Sequence, residues 1–298
     1  MAVDKEVNFL EILDVLLSYK RTITFITLIG ALFSVIYALS LNNIYTSRSV
    51  LTLTSDDGSS SIASMSSRFS GLATMAGINI GAGGGPQQKI NTARATITSK
   101  DFFQYLVSNN DEIIPNLLAV KKINSSGELV YRRTYNSEKK EWRRGQPSFL
   151  DAFDKYSSSL KVGYNEKTGF LEVSMSHLSP IFSEAFLREV IFSVNEVLRE
   201  DALEEAEAAL EYLIQESKLS SSVEIRNSVA QLIEHQLKKK MLAQVSKDYA
   251  IKYLDSPFVP EKKSAPARSV ICIVITLSTF FVSILATIIW HYRFRESE

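Results

Sequence analysis

Val270-Ile-Cys-Ile-Val-Ile-Thr-Leu-Ser-Thr-Phe-Phe-Val-Ser-Ile-Leu-Ala-Thr-Ile-Ile-Trp290 is a run of twenty-one residues without a charge. At about 1.5 Å per residue it is long enough to cross a hydrocarbon core of about 30 Å. What it anchors is written just upstream. From Val223 the apolar positions Ile225, Val229, Leu232, Ile233, Leu237, Met241, Leu242, Val245 and Tyr249 recur every three or four residues, the stripe of a helix facing a core or a partner. That helix is expected to stop at Asp255-Ser256-Pro257. Pro257, Pro260 and Pro266 follow, each fixing φ and lacking an N–H, so extended, stiff chain is expected up to Arg268. A long helix is thereby coupled to a membrane anchor through a semi-rigid strap.

A second uncharged run, Thr22 to Leu41, follows Lys20-Arg21 near the N-terminus. Ala38-Leu39-Ser40 faintly resembles a signal-peptide cleavage site. The run is too long for the apolar region of a signal peptide, however, and the segment before it carries Asp4, Glu6, Glu11 and Asp14, so an uncleaved span is expected. Lys20 and Arg21 precede the first span and Arg293 and Arg295 follow the second, which reads as two cytoplasmic termini. Lys262, Lys263 and Arg268 on the opposite side oppose that reading. They belong to a long domain, and long domains translocate largely regardless of charge.

Composition removes several function classes. Lys and Arg total 33 and Asp and Glu 33, so no global field argues for a nucleic-acid partner. Cys272, the one cysteine, lies inside the second span, which excludes a disulfide framework. His177, His235 and His291 are far apart and form no zinc pattern. No metal or cofactor is expected.

Along the domain, Ile44 to Thr54 reads as a strand leaving the membrane. Asp56 to Pro86 is dominated by Ser, Gly and Ala and buries little, so a flexible loop is expected. Its glycines do not make a phosphate loop, because Gly81 is followed five positions later by Pro86 rather than by Gly-Lys-Ser. Thr92 to Asn110 is helical, and Glu112 to Ala119 is a short helix interrupted by Pro115. Lys121 to Gly145 has the texture of hairpins, with Tyr135 against Trp142. Ser148 to Leu160 is a helix with Phe149, Leu150, Phe153, Tyr156 and Leu160 inward, and a β-hairpin turns at Asn165 to Gly169. Pro180 opens a helix to Leu219. Ser220-Ser221-Ser222 then favours a break, with Ser221 and Glu224 at capping-box spacing. Each arm of the resulting helical hairpin is expected to be roughly 50 Å long.

Two charge patterns invite chemistry. Glu200, Asp201, Glu204, Glu205, Glu207 and Glu211 spread over a broad helical face with no histidine beside them, so solvated surface is expected. Arg132, Arg133, Arg143 and Arg144, with Lys121, Lys122, Lys139 and Lys140, are interleaved with Tyr131, Tyr135 and Trp142. Aromatic platforms beside cations suit glycans or lipid head groups, and hairpin edges protected by charge look the same. No nucleophile–base pairing is visible.

Several stretches together resemble the Wzz chain-length determinants, polysaccharide copolymerases of bacterial inner membranes. They are Asn8-Phe-Leu-Glu-Ile-Leu-Asp-Val-Leu-Leu, Ser70-Gly-Leu-Ala-Thr-Met-Ala-Gly-Ile-Asn-Ile-Gly, and Glu211-Tyr-Leu-Ile-Gln-Glu onward to Met241-Leu-Ala-Gln-Val. The most specific is Tyr249-Ala-Ile-Lys-Tyr-Leu-Asp-Ser-Pro-Phe-Val-Pro-Glu-Lys-Lys-Ser-Ala-Pro-Ala-Arg. The resemblance implies an α+β fold in which two transmembrane helices flank a periplasmic domain with a small mixed α/β base and a long helical protrusion. It implies no catalysis, and a homo-oligomeric ring, often an octamer, that sets the length of O-antigen, capsule or exopolysaccharide. A separate polymerase and lipid-linked polysaccharide would be its partners. Where the family commonly has a spaced glycine pair in the second span, this chain has Ser278 and Ser283, leaving Gly30 of the first span for close packing.

The expected organisation is therefore a cytoplasmic segment 1–21, a span 22–41, a periplasmic domain 42–268, a span 270–290 and a cytoplasmic tail 291–298. Within the domain the base is 42–180, the long helices 181–255 and the strap 256–268, with Pro257, Pro260, Pro266 and Arg268 as its motif and hinge. The rival reading is a two-span periplasmic receptor or membrane scaffold, disfavoured because the residues after the second span offer no output module.

Overall fold

The computed structural model describes residues 16–54, 86–124, 129–143, 145–219 and 222–295. The glycine-rich segment, residues 1–15 with their four acids, Arg144 and the Ser221 half of the capping pair lie outside the described residues. The chain divides into two compact units, one formed by the residues up to Ile44 with those from Lys262 onward, the other by Tyr45–Glu261.

In the first unit, α1 (Lys20–Ser40) and the helix that closes the chain, α8 (Arg268–Arg295), are both long and apolar enough to cross a membrane. Their apolar side chains are largely uncovered, with Phe25 66%, Leu32 64%, Ile273 65% and Val282 64% exposed. A core helix of a soluble protein would bury such residues. The two helices run antiparallel, since Gly30 faces Thr279 while Tyr19 meets Trp290 edge-on at 6.1 Å.

The second unit is α+β. In chain order it holds β1 (Tyr45–Leu53), α2 (Pro86–Ile97), α3 (Lys100–Asn109), α4 (Ile113–Ala119), β2 (Val120–Ile123) and β3 (Leu129–Tyr131). Then come β4 (Tyr135–Asn136), β5 (Glu141–Trp142), α5 (Phe149–Ser159), β6 (Leu160–Asn165) and β7 (Phe170–His177). The remainder is α6 (Pro180–Leu219), α7 (Val223–Val245) and β8 (Ile251–Asp255). An antiparallel sheet has the order β6-β7-β1-β8. Alternation places Leu171, Val173 and Met175 of β7 and Leu51 of β1 on one buried face. Phe186, Leu187, Val190, Ile191 and Val194 of α6 belong to the same core.

Local chemistry accounts for most boundaries. Pro180 opens α6 where its missing N–H is harmless. Ser99 caps α3 by accepting from Phe102 N, and Ser148 caps α5 by accepting from Leu150 N. The β6–β7 turn is held by Asn165 Oδ1, which accepts from Lys167 N and Thr168 N, and Gly169 adopts φ 72°. Pro115 lies in the first turn of α4 rather than interrupting it. Within α5, Leu150 is 53% exposed rather than inward, because it sits one position off the buried face of Ala152 and Tyr156. Tyr156 stacks on Phe103 at 4.8 Å and donates to Ile97 O at 2.7 Å, and burial pushes its phenol far above the ordinary range.

The expected break at the serines is present, with α6 ending at Leu219 and α7 starting at Val223 after an N-cap at Ser222 rather than Ser221. Ala209 and Leu213 of α6 pack on Val229 and Leu232 of α7 as an antiparallel pair. The arms are unequal, 40 residues against 23, or about 60 and 35 Å. That corrects the expected helix up to Asp255. α7 stops at Val245, and Ile251–Asp255 forms β8 at the edge of the sheet. Asn195 of α6 supplies the reason: its Oδ1 accepts from Ala250 N and Ile251 N, both at 3.0 Å, and its Nδ2 donates to Ile251 O at 2.7 Å.

Candidate functional site

The membrane helices meet along a seam of small residues. On α1 these are Gly30, Ser34 and Ala38; on α8 they are Cys272, Thr276, Thr279, Ser283 and Thr287, stepping by three or four. Ser34, Ala38, Ser283 and Thr287 are buried. A Cβ at Gly30 would stand 2.6 Å from Thr279 Cγ2 and 2.8 Å from Thr279 Cβ, closer than side chains tolerate. Gly30 packs against Thr279, and Ser283 is buried in the seam. Ser278 does not, being exposed one position away from Thr279. The hydroxyls of Thr279, Ser283 and Thr287 bond to backbone carbonyls of α8 itself, at 2.8, 2.7 and 2.7 Å. Cys272 Sγ donates across the seam to Ser34 O at 3.8 Å, a weak bond that adds to the close packing small side chains allow. Beside the seam lies an apolar cleft of about 500 Å³ that Thr27, Ala31, Val35, Cys272, Thr276 and Phe280 help to line. The 3–4 stepping of small residues on α8 is the sequence signal for Thr279, which a pattern of glycines alone does not contain.

At the Arg268 end of this unit the two connecting segments clasp each other. Ile44 N donates to Ala265 O at 2.8 Å, and Ser264 N donates to Ile44 O at 2.8 Å. Arg268 Nη2 donates to Leu41 O at 3.1 Å and to Asn43 Oδ1 at 3.0 Å. Arg268 thus ties the end of one helix to the start of the other, and Pro266 lies within the clasp.

The upstream part of the strap is pinned in the second unit. Two buried serines of the central strand donate to it, Ser49 Oγ to Asp255 O at 2.7 Å and Ser47 Oγ to Phe258 O at 2.9 Å. Arg188 Nη2 reaches Pro257 O at 3.4 Å. The prolines here keep the chain extended while neighbouring carbonyls stay free to accept.

Tyr135 pairs with Trp142 across β4 and β5, as the spacing predicted. The aromatics are committed to one another, however: Tyr131 to Tyr135 at 5.3 Å and Tyr135 to Trp142 at 5.0 Å, with Tyr135 buried. Tyr131 OH donates to Asn116 Oδ1 at 2.7 Å. Arg132, Arg133 and Arg143 are exposed around this stack, and Lys140 pairs with Glu112 at 2.6 Å. The cations form a surface, but the rings are not open platforms.

On the acidic face of α6, Glu205 pairs with Lys239 at 2.6 Å and Glu207 with Lys240 at 2.9 Å. These carboxylates are exposed, yet they also link α6 to α7, each pair contributing at most about 1 kcal/mol. Among the described residues, no group of three or more His, Cys, Asp or Glu is placed to hold a metal ion.

His177 ends β7 inside the second unit. Its Nε2 donates to Asn116 O at 3.0 Å, and its Nδ1 accepts from Ser179 N at 3.0 Å, which requires the neutral ring. Burial lowers its pKa to about 4, and Lys155 adds to that effect. The folded pKa lies below the unfolded value near 6.5, so the unfolded chain binds the proton more tightly. Stability is then full above about pH 6.5 and declines as pH falls toward 4, by about 3 kcal/mol in all. Denaturation midpoints of the full chain between pH 7 and 4 should show this slope, and His177→Asn should flatten it. An unchanged slope in the variant would remove His177 as its source.

Residues 5–109 match the family model described as Wzz, chain length determinant protein. Over that stretch the chain is similar to the Wzz family. The matched segment takes in α1 with Gly30 and Ser34, the central strand β1 with Ser47 and Ser49, and the helices through the end of α3. No curated protein matches the chain. Among solved structures, a full-length bacterial polysaccharide co-polymerase is 12% identical, with a TM-score of 0.45, covering 97% of this chain and 99% of that one. A fragment of WzzB, the polysaccharide co-polymerase from Salmonella Typhimurium, is 15% identical with a TM-score of 0.31, covering 75% of this chain and 100% of that one. Likeness at those TM-scores carries no argument about individual residues.

Proposed function

We propose that this chain regulates the length of a surface polysaccharide without catalysing its synthesis, as a homo-oligomeric ring in a bacterial inner membrane working with a separate polymerase. The Wzz family match over residues 5–109 carries this reading. In it, α1 and α8 span the membrane, both termini are cytoplasmic, and the domain between them is periplasmic. Apolar side chains on the long helices support assembly: Phe192 and Leu219 of α6 are 62% and 80% exposed, and Met241 and Val245 of α7 are 60% and 85% exposed. A second copy would cover such residues, and a closed ring repeats one heterologous contact.

The deciding measurement is the length distribution of surface polysaccharide on a gel, in cells lacking the protein and in cells with it restored. Loss of a modal band, with polymer still made at random lengths, is expected. An unchanged distribution of every glycan would overturn the reading and favour a membrane receptor or scaffold.

The exposed Arg132, Arg133 and Arg143 are the surface we assign to lipid-linked glycan, with Trp142 in the stack beneath them. Charge reversal at Arg132 and Arg133 should shift the modal length while leaving expression unchanged. Normal length with normal expression would reduce these cations to hairpin surface. Pro257, Pro260, Pro266 and Arg268 hold the strap. Pro257→Ala with Pro260→Ala should broaden the length distribution, and an unchanged band at equal expression would remove the strap from the mechanism.

A further inference from the structure

We propose that the Arg268 end of the two-helix unit binds the phosphate of an anionic membrane phospholipid. In this unit the segment from Leu41 to Ile44 and the segment from Lys262 to Arg268 contain three cations, Lys262, Lys263 and Arg268, and no acidic residue. Lys262 and Lys263 are exposed, and none of the three has a carboxylate partner among the described residues. Arg268 is half-buried, and its fork is only partly used. Nη2 is bonded to Leu41 O and Asn43 Oδ1, whereas Nε is buried with no acceptor. That N–H has no acceptor from the protein, and the guanidinium fork matches the oxygens of a phosphate.

Two further features favour a phosphate at this level. Arg268 is the first residue of α8, and the first-turn N–H groups of a helix have no intrahelical acceptor and carry partial positive charge. The main-chain clasp between Ile44 and Ser264–Ala265 fixes the chain between Lys263 and Arg268, so the two lysines leave the same anchored segment that Arg268 ends. Charge placement for membrane orientation does not explain these cations, because Lys20, Arg21 and Arg293 already mark the other end of the pair. Cations at a helix end where the chain leaves the hydrocarbon sit at head-group depth and attract anionic lipid.

The inference rests on reading α1 and α8 as membrane spans, and that reading is tested separately. Carbonate washing of membranes should leave the full chain in the pellet; release into the supernatant would overturn the spans and this proposal with them. The binding test uses the full chain in neutral detergent, titrated with dioleoyl phosphatidylglycerol or dioleoyl phosphatidylcholine and read by native mass spectrometry. Phosphatidylglycerol should be retained at least about thirtyfold more tightly than phosphatidylcholine. Lys262→Gln with Lys263→Gln should weaken it by about thirtyfold, at roughly fivefold per cation, with phosphatidylcholine unaffected. These lysines lie outside the clasp, so the variant tests the site without removing the Arg268 bonds.

Arg268→Lys keeps the charge and loses the fork, and should weaken phosphatidylglycerol more than phosphatidylcholine. Millimolar inorganic phosphate distinguishes sources. Weak competition is expected if the lipid head group is the ligand, and complete displacement would assign the site to soluble phosphate and overturn the lipid assignment. Equal retention of the two lipids would overturn the proposal. So would a preference that survives Lys262→Gln with Lys263→Gln but disappears on Lys20→Gln with Arg21→Gln.

Discussion

Gly30→Ala is expected to separate the membrane helices and destabilise their packing by about 1–3 kcal/mol, the usual penalty for forcing atoms into a filled interface. The new Cβ would meet Thr279 Cγ2 at 2.6 Å, Oγ1 at 2.7 Å and Cβ at 2.8 Å. The last of these distances decides which second change rescues. Thr279→Ala leaves the Cβ in place, so Gly30→Ala with Thr279→Ala should remain destabilised. Thr279→Gly removes it, and Gly30→Ala with Thr279→Gly should regain most of the loss. Trp290 packs on Tyr19 in this helix pair, so its fluorescence on heating, in a Trp142→Phe background, reports the event directly. If both double variants behave alike, close approach at Gly30 is not what holds the seam. Ser278→Ala, outside the seam, should leave the transition unchanged.

Asn195→Leu is expected to cost about 3–5 kcal/mol. The side chain makes three hydrogen bonds to the backbone of Ala250 and Ile251, and leucine would leave those groups without partners in a buried site. Asn195→Asp should be milder at low pH than at neutral pH, since only the protonated acid can keep a donor to Ile251 O, whereas the buried carboxylate would set an oxygen against that carbonyl. Chemical denaturation of the full chain measures the difference. Hydrogen exchange at the Ile251 amide localises it, and protection there should collapse in Asn195→Leu before the β6–β7 hairpin opens. Wild-type protection at Ile251 in that variant would mean that sheet pairing with Leu53 alone holds β8 in place.

Both residues explain what could and could not be seen beforehand. Elements specified by neighbours in the chain were legible: two uncharged runs of spanning length, a proline that opens α6, a break at the serines, and a turn carried by Asn165 and Gly169. Their chemistry is local, within about four residues. The functional surfaces were less legible. The apolar period from Val223 continues through Tyr249, but the helix ends at Val245 because partners for the next segment come from Asn195 and from β1, far away in the chain. Period alone does not register that competition. Likewise, the aromatics among the arginines looked like open platforms, and only the antiparallel pairing of Tyr135 with Trp142 turned them into an internal stack.

The two membrane-length helices and the existence of long helices in the second unit are written in the sequence, because hydropathy, proline and glycine act through local backbone preferences. Tertiary structure decided which small residues meet, placing Thr279 rather than Ser278 against Gly30. It also decided where α7 gives way to a strand, how Ser47 and Ser49 grip the strap, and how Arg268 joins two segments more than two hundred residues apart. Each of these depends on helix rotation or strand register relative to a distant partner, a quantity no local pattern contains.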